Sequence, residues 1–79
     1  MDILDKIKQA VEKVTNDEHE ISSETHLVDD EILDSLDSAV FLLELEKLYD
    51  IKLEDDVVDS RDLYKVANMI EFIESSASQ

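Results

Sequence analysis

The 79-residue chain contains neither glycine nor proline, and nothing else in it narrows the possible folds so far. Tight hairpins and left-handed turns usually rely on those two residues, so an all-β fold is disfavoured and helices joined by polar loops are expected. The length accommodates one domain, residues 1–79, and one core. A hydrophobic content of 43% is too high for a disordered acidic tail, so the 22 Asp+Glu set against 7 Lys+Arg belong to a folded acidic domain. The chain lacks cysteine, which removes a disulfide scaffold, a thiolate zinc site and a cysteine nucleophile together; any thiol has to be supplied from outside.

Periodicity places the helices. Ile3, Leu4, Ile7, Ala10, Val11 and Val14 recur at helical spacing with Lys and Glu opposite, giving a first helix over 3–14. Residues 15–34 hold no period; Ile21, Leu27, Val28, Ile32 and Leu33 are scattered among polar residues, which predicts a long ordered loop pinned by apolar anchors. A second helix begins at Ser35, with Asp34 as its cap and Asp37 in its first turn, and runs to about Tyr49. After Ile51–Leu53, the acids Glu54, Asp55 and Asp56 offer caps for a short turn of helix around Val57 and Val58. The last helix is expected from Leu63 or Tyr64 through Ile73, with residues 75–79 fraying as a polar tail. The expected fold class is therefore all-α, a bundle of three main helices and one short one.

The formal charge of -15 is unevenly spread. Up to Thr15 three acids are balanced by Lys6, Lys8 and Lys13, whereas the remaining nineteen acids face only Lys47, Lys52, Arg61 and Lys65. Such a field repels nucleic acid and anionic membranes and speeds encounter with basic protein surfaces. No apolar run reaches the length of a membrane span, and residues 1–10 lack the hydrophobic stretch of a secretory signal, so a cytoplasmic location is the expectation.

The second helix holds more apolar residues than one buried stripe needs. With Phe41, Leu42, Leu45 and Tyr49 facing the core, Leu36, Val40 and Leu43 form a second stripe at i, i+4 and i+7, flanked by Asp37, Glu44 and Lys47. An apolar patch with a charged rim is the usual anatomy of a transient interface. No enzyme constellation accompanies it: His19 and His26 sit in the polar loop with surface or packing duty, the acids around Asp29 and Asp34 lack calcium-loop spacing, and no nucleophile has a base beside it. No metal site is expected. Ser35 stands apart as a candidate modification site, because a hydroxyl at the positive end of a helix can anchor a phosphate there, although its position alone equally suits an ordinary residue of a helix N-terminus.

The run Ile32-Leu33-Asp34-Ser35-Leu36-Asp37-Ser38 at the head of an amphipathic helix resembles the Asp-Ser-Leu motif of acyl carrier proteins. Leu42, Leu45, Glu46, Tyr49, Asp50 and the segment from Ile51 to Asp56 look like that family's helix end and following connection, and the helix ending at Ile73 fits as well. The resemblance covers nearly the whole chain. It implies an up-down bundle in which Ser35, between Asp34 and Leu36, receives 4'-phosphopantetheine from coenzyme A through a phosphopantetheinyl transferase. It also implies a monomer that catalyses nothing, whose basic partner enzymes read Asp37, Val40, Leu43, Glu44 and Lys47. Those partners are the transferase, a loading ligase or transferase, and downstream synthase enzymes of a fatty acid- or polyketide-type pathway.

Three departures qualify the likeness. Glu31 or Ile32 replaces the glycine common before the motif, so the loop has to turn there without a left-handed glycine. Val40 and Lys47 stand where carriers of bacterial fatty acid synthesis usually show acids. The segments Ile32–Ser35 and Asp59–Tyr64 look more like stand-alone aminoacyl carriers, including the D-alanyl type, which keeps an aminoacyl carrier loaded by an adenylating enzyme as the alternative. An unmodified acidic adaptor that binds a basic protein through the second helix is the reading from a different class.

Overall fold

A computed structural model describes residues 2–77. Four helices follow in order: α1, Ile3–Thr15; α2, Ser35–Tyr49; α3, Asp55–Ser60; and α4, Val66–Ala77. The architecture is the expected all-α bundle of three longer helices and one short one. Both long N-terminal helices start on an aspartate cap: Asp2 accepts the Asp5 N–H at 2.9 Å and Asp34 accepts the Asp37 N–H at 2.8 Å. In contrast, Glu54 precedes α3 without a side-chain capping bond.

Helix ends normally closed by glycine are closed here by residues whose short polar side chains tolerate the left-handed region. Asn16 (φ 60°) ends α1 and Asp50 (φ 53°) ends α2, each amide returning to a carbonyl in the preceding turn. Lacking glycine has therefore not removed left-handed turns from the chain, only changed the residues that make them.

The core takes one face from each helix. Ile7, Ala10 and Val11 of α1, Phe41, Leu42 and Leu45 of α2, Val58 of α3, and Val66, Met69 and Ile73 of α4 are buried together, with Ile21, Leu27, Leu33, Leu53 and Leu63 contributed by connections. Helices α1 and α2 run antiparallel, the Asp2 carboxylate at the start of one acting on the Tyr49 phenol at the end of the other. Lys13 and Glu44 form an ion pair across them at 3.3 Å.

The loop from residue 16 to 34 is ordered, as its apolar content suggests, but hydrogen bonds hold it as much as burial does. Leu27 donates to the Tyr64 carbonyl at 2.8 Å, and the amides of Val66 and Ala67 donate to the carbonyls of Thr25 and Ser23 at 2.9 Å each, so the loop caps the first turn of α4. Val28 does not serve as an anchor: it is 39% exposed, while Ile21, Leu27 and Leu33 are buried and Ile32 is half-buried.

Two boundaries differ from expectation. Helix α4 begins at Val66, because Asp62 turns left-handed (φ 50°) and the residues after it are used in loop contacts, Leu63 donating to Val58 and Lys65 bridging to His26. It continues through Ser75 and Ser76 to Ala77, past the point where a frayed tail was expected. Residues 78 and 79 of that tail lie outside the described residues.

Candidate functional site

The head of α2 is built from inside outward. Leu33 is buried and its amide donates to the Leu27 carbonyl at 2.8 Å, which fixes the chain just before the helix. Asp34 is extended (φ -86°, ψ -176°), turning its carboxylate onto the Asp37 amide while its carbonyl accepts the Ser38 N–H at 2.9 Å. Ser35 is then the first helical residue, and it is exposed.

Two serines occupy this turn and the structure gives them opposite fates. Ser38 is buried, and its Oγ donates to the Ser35 carbonyl at 3.0 Å. That bond closes the first turn from inside and was not foreseen from the sequence. The Ser35 Oγ makes no hydrogen bond among the described residues and faces solvent from a backbone fixed on both sides. The first amides of a helix have no intrahelical acceptor, and with the Asp37 amide satisfied by Asp34, those of Ser35 and Leu36 remain for a phosphate oxygen. A phosphodiester fits this end of the helix: its anchor oxygen is accessible, the two nearest amides can face it and the helix dipole favours its charge.

The second stripe is open. Leu36 is 74% exposed, Val40 43% and Leu43 57%, on the side of α2 opposite the buried Phe41, Leu42 and Leu45. Lys47 is exposed on the same side and Asp37 is half-buried beside it. Glu44 differs from the free rim acid expected of it: it is half-buried and engaged by Lys13 of α1. Leu48, also exposed, was missed; the surplus of apolar residues on α2 was the signal that could have found it.

Sequence reasoning also underestimated His26. The imidazole is half-buried, with Nε2 2.8 Å from Asp62 Oδ1 and Nδ1 2.9 Å from the Asp29 amide, while its own amide donates to Asp30 Oδ2 at 3.0 Å. Nothing local marks this out, because Asp62 is distant in sequence. His19 is exposed, as expected. At the far end of α2, burial first and the Asp2 carboxylate second hold the Tyr49 phenol above its ordinary value. No helix of the described residues is long and apolar enough to cross a membrane.

Comparison with known proteins points the same way as this geometry. The sequence pattern of a family described as a phosphopantetheine attachment site matches residues 5–70. An acyl carrier protein of Campylobacter lari is 30% identical over 76 residues, covering 95% of this chain and 96% of its own. One from Brachyspira hyodysenteriae is 36% identical over 76 residues, 94% of this chain and 95% of that one. One from Karelsulcia muelleri is 39% identical over 59 residues, 73% of this chain and 71% of that one. No solved structure matches the chain significantly.

Proposed function

The chain belongs to the acyl carrier protein family, and from that premise we propose that it is a discrete carrier whose acyl cargo rides on Ser35, in a fatty acid- or polyketide-type pathway. The prosthetic group of the family, covalent 4'-phosphopantetheine, supplies the thiol that a chain without cysteine lacks and holds acyl groups there as thioesters. One observation carries the assignment to Ser35: its hydroxyl is exposed and unengaged while that of Ser38 is buried and bonded. In the attachment, the Ser35 oxygen gains a bond to phosphorus, the pyrophosphate bond of coenzyme A breaks, 3',5'-ADP leaves and the hydroxyl proton is lost.

The protein's own work is to present and release. Asp34 keeps the helix start rigid, Leu36 flanks the anchor, and the stripe of Leu36, Val40 and Leu43 with Asp37, Glu44 and Lys47 meets the transferase, the loading enzyme and the synthases. Exposed ion pairs contribute about 0–1 kcal/mol each, so these contacts exchange quickly. The reading includes a cytoplasmic monomer that catalyses nothing itself.

Incubating the apo protein with coenzyme A and a broad-specificity phosphopantetheinyl transferase tests it by intact mass and peptide mapping. The expected result is one added phosphopantetheinyl group, retained in Ser38→Ala and lost in Ser35→Ala. Modification that survives Ser35→Ala overturns the assignment, and no mass gain at all favours the acidic adaptor.

A second reading rests on the segments Ile32–Ser35 and Asp59–Tyr64, which look more like stand-alone aminoacyl carriers, while Val40 and Lys47, both exposed on α2, weigh only against a partner set shared with bacterial fatty acid synthesis. In it the cargo is an aminoacyl group placed by an adenylating ligase. An aminoacyl increment on the holo protein, with a candidate ligase, ATP and amino acids, selects this reading over the first.

A further inference from the structure

The geometry points to His26 as the positioning residue that holds the Ser35 end of α2 in register with α4; this rests on Ser35 being the attachment site. A backbone amide can only donate, so the bond from the Asp29 N–H makes Nδ1 of His26 the lone-pair nitrogen. The ring proton therefore sits on Nε2 and donates to Asp62 Oδ1 at 2.8 Å. Both ring nitrogens are committed, one to the loop that leads into α2 and one to the residue that leads into α4.

Each neighbour of the ring is itself anchored. The Asp62 carbonyl accepts from Asn68 Nδ2 of α4 at 3.1 Å, so the carboxylate stands on a backbone that α4 holds. On the loop side, the His26 carbonyl accepts the Asp30 amide at 2.9 Å, and the adjacent Leu27 carbonyl takes the amides of Ile32 and Leu33 at 3.1 and 2.8 Å. Leu33 precedes the Asp34 cap, and Ser35 follows. The chain of bonds from Asn68 through Asp62, His26 and Leu27 to Leu33 thus ends two residues from the attachment hydroxyl. Without the imidazole, that path loses its only side-chain crossing among these residues, leaving the backbone bonds of Leu27 to Tyr64, Val66 to Thr25 and Ala67 to Ser23, all on the far side of His26 from Asp30 or at Leu27 itself, to carry the register. A transferase or synthase has to bring a reacting centre to Ser35 while resting on α2, so a loosened helix end weakens productive docking and leaves the chemical step intact.

Three proteins test this. His26→Asn retains an acceptor near the Asp29 amide but cannot reach Asp62; Asp62→Gly removes the same bond from the other side while still allowing the left-handed turn at that position (φ 50°); the double variant completes a cycle. In each, the amides of Leu33 and Asp37 should exchange roughly tenfold faster, the loss expected for one hydrogen bond to a charged acceptor, at unchanged helical content. The KM for modification by coenzyme A and transferase should rise several-fold with kcat unchanged, and the double variant should be no worse than either single one. In the wild-type protein, nitrogen chemical shifts in mildly alkaline buffer should place the ring proton on Nε2. A proton on Nδ1, or unchanged exchange and KM in both single variants, overturns the proposal. If Ser35→Ala is still modified, the attachment reading fails, and the exchange rates at Leu33 and Asp37 still decide whether His26 holds the helix end.

Discussion

Glu31 adopts φ 62°, the left-handed region that a β-carbon makes costly by about 1–2 kcal/mol. Asn16, Asp50 and Asp62 occupy the same region with side chains short enough to bond locally, but a glutamate has no such compensation. Its amide donates to the Val28 carbonyl at 2.9 Å, so the turn is held from both sides and the residue bears the strain. Glu31→Gly should therefore stabilise the fold. Relief of the strain is partly offset by the extra freedom glycine gives the unfolded chain, leaving a gain of up to about 1 kcal/mol in urea unfolding. A loss of stability would show that the Glu31 side chain contributes contacts that outweigh its backbone. Tyr49 offers a second test. Folding raises its phenol above the ordinary value, through burial and then Asp2, so the neutral form is favoured in the native state. That contribution is complete below the ordinary tyrosine range and is lost as pH rises from there through the raised value. Tyr49→Phe should flatten the alkaline limb of a stability-against-pH curve, and an unchanged limb would contradict the assignment. The Asp34 cap was legible in the sequence because capping is local. The strain at Glu31 was not, since a left-handed position depends on where the loop has to go next.

Helix α2 divides its apolar residues between two jobs, and substitution should separate them. Phe41 is fully buried, so Phe41→Ala should cost about 3–5 kcal/mol by leaving a cavity in the core. Leu43 is 57% exposed, and Leu43→Asp should change stability by no more than about 0.5 kcal/mol. The same variant should slow modification of the apo protein by about tenfold, the effect of losing one apolar anchor at an interface. Thermal unfolding and transferase kinetics on both variants check this, and a collapse of Leu43→Asp on heating would return that residue to the core. The Asp2 cap and the left-handed stops at Asn16 and Asp50 emerge only in the structure. The bounds of α1 and α2 were readable to within a residue from the apolar period, with the Asp34 cap marking the start of α2. The start of α4 was not, because Leu63 and Tyr64 keep helical spacing yet are taken by Val58 and the loop at Leu27. Glu44 illustrates the same limit: its place on the rim follows from spacing, but its pairing with Lys13 depends on how α1 lies against α2.

Across the whole molecule, -15 charges are carried on a body of about 33 × 28 × 22 Å. The acids are therefore close enough to repel one another in dilute buffer, where the screening length is about 30 Å at 0.01 M salt, and nearly independent at 1 M, where it is about 3 Å. One field then has two consequences of opposite sign. Screening relieves self-repulsion in the folded state, so stability should rise with sodium chloride from low ionic strength. On the proposed reading, the same screening weakens the attraction between α2 and a basic enzyme, so the second-order rate of Ser35 modification should fall over the same range. Exposed pairs such as Lys13 with Glu44 weaken in salt as well, but at about 0–1 kcal/mol they cannot reverse the trend set by nineteen acids beyond residue 15 against four cations. Unfolding midpoints and modification rates measured in one salt series check both slopes. If the rate fell because the carrier itself loosened, the midpoint would fall with it; opposed slopes place the salt effect in the encounter between two charged surfaces.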